Sequence, residues 1–176
     1  MSRFPHSLRV RGRFLLEARG PKTQYYAMNP AGDVTRERVS YSEDDTRNIA
    51  CEFGLGLSAG DQVCLTGPLG AGKTTFCRGV AEGLGIDPTT VTSPTFAIAH
   101  EYSPGARGVR LTHIDLYRIA TPAEALAIGW ESYLAQTGVL LVEWADNAPG
   151  ILPRPRWDVS IERLPETRRI SIRRVE

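Results

Sequence analysis

Lysine is almost missing from this chain, with two lysines, Lys22 and Lys73, against nineteen arginines in 176 residues. Arginine therefore supplies nearly all the positive charge, and a lysine at position 73 reads as a compact ammonium kept for a purpose a guanidinium does not serve. Net charge is also small, formally +1, so nothing in the bulk charge points to a nucleic-acid binder. The charge is uneven, since residues 1–38 hold eight basic and three acidic side chains and the remainder is about four units negative by difference. Cysteine is scarce: Cys51, Cys64 and Cys77 show no metal-ligand spacing and read as small buried hydrophobes in a reducing cytosol. No apolar run approaches the roughly 20 residues of a membrane span. The early arginines (Arg3, Arg9, Arg11, Arg13) precede no apolar core of a secretory signal. What remains is the composition of an ordinary soluble domain, 41% hydrophobic and 23% charged.

Against that background one stretch is explained only by chemistry. Gly67-Pro-Leu-Gly-Ala-Gly-Lys73-Thr74-Thr75 fits G-x-x-x-x-G-K-[ST], whose consecutive backbone N–H groups curl round nucleotide phosphates. Upstream, Gln62-Val-Cys-Leu-Thr66 is a short apolar run with the character of a buried strand. Downstream, Phe76, Val80 and Leu84 fall at helical spacing, with Gly85 as a C-cap. Gly67, Gly70 and Gly72 permit backbone angles and close approach that a Cβ would obstruct. Leu69, Ala71 and Thr75 belong to the same amide cradle, and the helix start adds its positive dipole end. Lys73 is placed to reach the β- and γ-phosphates, and the Thr74 hydroxyl to ligate Mg²⁺. ATP with Mg²⁺ is the expected ligand.

The rest of the chain is read in order. Residues 1–33 contain Pro5, Gly12, Gly20, Pro21, Pro30 and Gly32 without sustained periodicity, so they read as a flexible N-terminal extension, or as sequence ahead of a start at Met28. Residues 34–176 read as the P-loop domain. A strand over Val34 to Tyr41 leads to Ser42-Glu-Asp-Asp45, a capping-box variant opening a helix with Thr46, Ile49, Ala50, Phe53 and Leu57 on one face. Ser93 and Thr95 flank Pro94, suiting either a loop that presents hydroxyls or a plain strand entry. Phe96 to Tyr102 and Val109 to Ile114 are expected to pair as a hairpin across Ser103 to Gly108.

Two strands end in acids: Leu111-Thr-His-Ile-Asp115 and Gly138-Val-Leu-Leu-Val-Glu143. Ligands gather at the carboxyl ends of strands in open α/β sheets, so Asp115 and Glu143 are expected to face Mg²⁺ and the γ-phosphate beside Lys73. Between them Thr121-Pro-Ala-Glu124 is a helix start, with Ala125, Leu126, Ile128, Trp130 and Leu134 as packing residues and Gly129 interrupting. Trp157 to Arg163 and Arg168 to Val175 alternate as a C-terminal hairpin, whose Arg163, Arg168, Arg169, Arg173 and Arg174 read as a solvated face. No arginine is obviously placed as a catalytic finger.

Five blocks together resemble the TsaE (YjeE) family of bacterial P-loop ATPases needed to make threonylcarbamoyladenosine in tRNA. They are Ser42 to Thr46, Gly67 to Thr75, Ser93-Pro-Thr-Phe96, His113-Ile-Asp-Leu-Tyr-Arg118, and Val142-Glu-Trp144 with Gly150-Ile-Leu-Pro153. The resemblance implies a three-layer P-loop α/β sandwich with a mostly parallel sheet and the C-terminal β-hairpin. It further implies a cytoplasmic ATPase that does not modify tRNA itself but binds and supports turnover of a TsaB and TsaD type transferase pair, with any tRNA contact indirect. By similarity Lys73 and the loop amides hold phosphates, Thr74 and Glu143 hold Mg²⁺, Asp115 positions water or senses the γ-phosphate, and Ser93 and Thr95 are switch residues. Trp144 and Arg118 would couple the site to the partner. The N-terminal extension is a departure from the family pattern.

Three rival readings share these residues. A small-molecule or nucleoside kinase needs an acceptor pocket and an arginine-bearing lid, which the arginine-free interval from Gly79 to Ala106 does not supply. A GTP switch needs an N-K-x-D element, absent here, with Asp146-Asn147 a faint substitute. A nucleotide-stabilised adaptor would bind ATP without needing its cleavage.

Overall fold

The computed structural model describes residues 34–176 and, ahead of them, three strands within residues 1–33. The elements are β1 (Leu8–Val10), β2 (Arg13–Ala18), β3 (Gln24–Met28), β4 (Val34–Ser40), α1 (Glu43–Gly54), β5 (Gln62–Thr66), α2 (Lys73–Gly83), β6 (Ala99–Tyr102), β7 (Leu111–Asp115), α3 (Pro122–Ala127), α4 (Trp130–Leu134), β8 (Val139–Glu143), β9 (Arg156–Arg163) and β10 (Arg168–Val175). They build one sheet in the order β1-β2-β3-β4-β10-β9-β5-β8-β7-β6. The first three strands form an antiparallel meander ending on β4. The rest of the stretch read as a flexible extension lies outside the described residues.

At the centre, β9, β5, β8 and β7 run parallel, as the alternation of strands and helices requires. On either side the pairing turns antiparallel: β10 on β9 and β4 on β10 at one wing, β6 on β7 at the other. The expectation of a mostly parallel sheet therefore holds for the four central strands only, and the sheet as a whole is mixed. The C-terminal hairpin is no appendage, because β9 lies directly against the strand that leads into the glycine loop.

Helices cover both faces, giving three layers. Val63 and Leu65 of β5, Leu141 of β8 and Ile170 of β10 turn toward α1 and α2, where Phe76, Val80 and Leu84 complete a dry core. Cys64, Ile114 and Val142, one step out of phase on their strands, meet Ala125 and Trp130 on the opposite face. Alternation thus places His113 and Asp115 of β7, and Glu143 of β8, on the side of α2.

The helix starts follow their sequence signals. Ser42 Oγ accepts from the Asp45 N–H at 3.0 Å, while the Asp45 carboxylate reaches back to the Tyr41 N–H at 3.1 Å. Thr121 and Glu124 repeat this on α3, with Glu124 accepting from the Ala120 N–H at 2.9 Å. Gly129 (φ 84°) separates α3 from α4 as expected. Leu126 is a correction. It is 52% exposed, because α3 is under two turns long and only the Ala125 side meets the sheet.

Candidate functional site

The site begins where β5 stops. Gly67 (φ 143°), Gly70 (φ 73°) and Gly72 (φ 106°) all take backbone angles that L side chains avoid, and this turns the loop's amides inward. At Gly67 a side chain is also excluded by space, since a Cβ would collide with the Ile161 carbonyl of β9. The loop runs straight into α2, whose first residue is Lys73 and whose N-cap is Gly72, so the unpaired N–H groups of the first turn face the concavity.

Lys73 is buried, and its Nζ donates to the carbonyl oxygens of Gly67 (2.7 Å) and Pro68 (3.1 Å). The same ammonium lies 3.6 Å from the ring centroid of Trp144. Burial holds its pKa below the ordinary lysine value of 10.5, opposed by the nearby carboxylates of Glu143, Asp115 and Asp146. Trp144 itself has a positive φ of 58° and packs on Tyr117 with ring centroids 4.9 Å apart.

The two strand-end acids are neighbours in register, Asp115 of β7 beside Glu143 of β8, with Glu143 in turn beside Leu65 of β5. Their environments differ. Glu143 Oε1 accepts from Thr74 Oγ1 at 2.8 Å, lies 3.0 Å from His113 Nε2, and has the Cys77 thiol at 3.7 Å. Asp115 Oδ2 accepts from both Ser93 Oγ (2.8 Å) and Thr95 Oγ1 (2.7 Å), and its Oδ1 accepts from the Tyr117 N–H (2.8 Å). The open alternative for Ser93 and Thr95 is thereby decided: they sit in a loop and present hydroxyls, and the strand does not begin until Ala99. Phe96, expected at the strand start, is instead 85% exposed beneath the Arg118 guanidinium, 4.3 Å from its ring centroid.

These groups line one cleft of about 640 Å³. Leu69, Gly70, Ala71, Gly72, Lys73, Thr74, Thr75, Ser93, Thr95, Asp115 and Glu143 all face it, and Gly67 stands just behind as the Lys73 acceptor. Thr74 and Glu143 offer hard oxygen donors side by side, the donor type Mg²⁺ takes, next to an amide cradle of the shape a phosphate takes.

Residues 40–171 match the family described as threonylcarbamoyl adenosine biosynthesis protein TsaE. The chain belongs to the TsaE family. The TsaE of Bacillus subtilis is 42% identical over 126 residues, covering 72% of this chain and 77% of that protein. The TsaE of Rickettsia bellii is 33% identical over 137 residues, covering 78% and 93%. The crystal structure of Bacillus subtilis YdiB superposes with a TM-score of 0.68 at 34% identity, covering 82% of this chain and 88% of the other. Both TsaE relatives are named for tRNA threonylcarbamoyladenosine biosynthesis, which favours that reading over the small-kinase alternative.

Three cleft residues of this TsaE-family chain, Glu43, Tyr117 and Arg168, are given no role by sequence reasoning. Glu43 enters from the start of α1, accepting from Thr75 Oγ1 at 3.1 Å. Arg168 enters from the start of β10, donating from Nε to the Ala71 carbonyl at 2.9 Å. The solvated-face reading of the C-terminal arginines holds for the exposed Arg163 and Arg169 and needs correcting for Arg168, which turns into the cleft. Arg169 pairs with Glu162 and Arg173 with Asp158 on β9, and Arg174 with Asp61 just ahead of β5. No periodicity pointed Arg168 at a loop 97 positions away in sequence, and only the β9–β5 pairing brings it there.

Proposed function

We propose that this chain is the ATP-binding and ATP-hydrolysing component of the machinery that installs threonylcarbamoyladenosine in tRNA, and that it supports turnover of a TsaB and TsaD type transferase pair in the cytoplasm. Among the described residues no helix is long and apolar enough to cross a membrane. The observation that carries the reading is the placing of Glu143 against Thr74, and of Asp115 one strand further on, at the open end of a glycine loop containing Lys73.

Each group then has a task. The loop amides and Lys73 bind the polyphosphate, with the ammonium exchanging the Gly67 and Pro68 carbonyls for phosphate oxygens. Thr74 and Glu143 would hold Mg²⁺, which when bound neutralises charge on the β- and γ-phosphates. Asp115 accepts a hydrogen bond from the attacking water and orients it. In the free chain that carboxylate is already held by Ser93, Thr95 and the Tyr117 N–H, so hydrolysis is slow until a partner rearranges the 93–98 loop. Trp144, resting on Lys73, and Arg118, on the exposed Phe96, form the face through which a partner reaches the site.

Calorimetry with MgATP tests the binding half: micromolar-range affinity in the native protein, lost by about a hundredfold or more in Lys73→Ala, is expected. Labelled ATP tests the chemistry. Release of label as inorganic phosphate, accelerated by added transferase proteins, supports the proposal, whereas transfer to a small acceptor would favour the kinase. Unchanged tRNA modification with a Glu143→Ala protein that still binds ATP would favour a non-hydrolysing adaptor.

A further inference from the structure

Behind the carboxylate that meets Thr74 stand two side chains to which ATP binding and cleavage give no task. Cys77 lies one turn along α2 from Lys73, and His113 lies two residues ahead of Asp115 on β7; both are completely buried. The Cys77 thiol donates toward Glu143 Oε1 at 3.7 Å, and His113 Nε2 lies 3.0 Å from the same oxygen. One ligand atom from each of the three residues falls within 4.8 Å of the other two, so sulfur, nitrogen and oxygen donors converge. In a tetrahedral zinc site the metal–ligand bond lengths put the S···O edge at about 3.6 Å and the N···O edge at about 3.4 Å. The first edge is already in place, and the second needs His113 to withdraw by only about 0.4 Å.

The donor types choose the ion. Thiolate and imidazole favour Zn²⁺ and its neighbours in the transition series, whereas Mg²⁺ takes oxygen ligands and keeps its waters. We propose that Cys77, His113 and Glu143 form a zinc-binding site, entered through the cleft wall that Glu143 lines, and that Zn²⁺ held there inhibits by drawing the Glu143 carboxylate away from Thr74 and Mg²⁺. Binding breaks the Cys77 S–H bond, releases the proton to solvent and forms a Zn–S bond. Thiolate and carboxylate together then neutralise the ion where water does not reach. Two divalent ions sharing one carboxylate would also repel each other, so each weakens the hold on the other. A zinc-bound imidazole usually has its second nitrogen fixed by a carboxylate or carbonyl, but His113 Nδ1 has no hydrogen-bond partner among the described residues. The site is accordingly a reversible one rather than a structural part of the fold. Zinc binding stands on these three residues alone, whereas the inhibition rests on the MgATP reading above.

Cobalt(II), which takes zinc's place and reports its ligands by colour, tests the site on the full chain under reducing conditions. The expected result is a tetrahedral Co²⁺ spectrum with a thiolate-to-metal charge-transfer band that Zn²⁺ bleaches. The band should vanish in Cys77→Ser and persist in a Cys51→Ser, Cys64→Ala double variant, where Cys77 is the one thiol left. Native protein without a thiolate band, or a band that the double variant loses, would overturn the proposal, and neither result depends on how well a Cys77 variant folds. Binding of a fluorescent ATP analogue at saturating Mg²⁺ tests the consequence. Micromolar Zn²⁺ should weaken that binding by about tenfold or more in the native protein and by less than about twofold in Cys77→Ser. Equal weakening in both would trace the effect to zinc on the nucleotide and overturn the inhibition. Native protein that binds no analogue at any zinc concentration would instead overturn the nucleotide reading, while the cobalt spectrum still decides the site.

Discussion

At the scale of single residues, Lys73 carries a conflict between folding and function. Its ammonium is buried against two carbonyls and an aromatic face, and burial outweighs the pull of the nearby Glu143, Asp115 and Asp146 carboxylates, so the native state holds its proton less firmly than the unfolded chain does. Between its lowered pKa and 10.5 the unfolded chain binds more protons, so stability rises with pH across that window, and the full penalty stands below it. The native protein should therefore gain stability relative to Lys73→Met as pH is raised through that window, by at most about 1.4 kcal/mol per pH unit. Urea denaturation of the two proteins at several alkaline pH values reads the slope, and parallel curves would contradict it. The thiols make a second residue-scale case. Burial pushes Cys64 up to about 12 and Cys77 well above the usual thiol range, the latter also facing Glu143, whereas Cys51 is only partly covered. Iodoacetamide at mildly alkaline pH should label Cys51 alone in the folded protein, with Cys64 and Cys77 reacting on unfolding. Peptide mass mapping distinguishes the three.

At the scale of elements, the crossing of α1 and α2 governs how rigidly the glycine loop is backed. The two helices touch through small residues: a Cβ on Gly79 would meet the Arg47 carbonyl and lie 2.6 Å from Ala50 Cβ, and a Cβ on Gly54 would press on Val80 backbone at 2.7 Å. Gly79 has helical neighbours, and propensity alone would favour alanine there. Contact reverses that preference. Gly79→Ala should destabilise by about 1–3 kcal/mol, visible as a lowered urea midpoint with unchanged slope. Local signals of this kind explain which elements could be read in advance. Ser42 with Asp45, Thr121 with Glu124, and Gly129 act within a few residues, so α1, α3 and the α3–α4 break were legible. Strands β1 to β3 were not, because their pairing partners lie on one another and on β4 rather than in any local period.

At the scale of the whole molecule, the cleft is assembled from segments that the chain keeps far apart, and this sets what sequence can foretell about it. Lys73 and Thr74 were legible from their own loop, and Asp115 and Glu143 from apolar runs that end in an acid. That Glu143 and not Asp115 meets Thr74 followed only from the family resemblance and from no local signal, because it depends on β8 lying between β5 and β7 in the sheet. Arg168 depends on the same long-range order, through β9.

That strand order also separates the tasks of the two acids, and so fixes a further prediction. Glu143 touches Thr74 and His113 at the mouth of α2, while Asp115 is tied to the 93–98 loop and to Tyr117, with no bond to Thr74. Removing charge at Glu143 should weaken the grip on the metal, so Glu143→Gln is expected to need roughly ten times more Mg²⁺ for half-maximal ATP binding. Asp115→Asn keeps the shape and most of the hydrogen bonds, so nucleotide affinity should stay within about threefold. Partner-stimulated hydrolysis should nevertheless fall by about a hundredfold or more, since an amide orients water poorly and accepts no proton. Magnesium titrations of ATP binding, run beside single-turnover hydrolysis in the presence of the transferase proteins, report the two effects separately. If Asp115→Asn shifts the magnesium requirement while Glu143→Gln does not, the assignment of the acids is reversed, and β7 rather than β8 supplies the metal ligand.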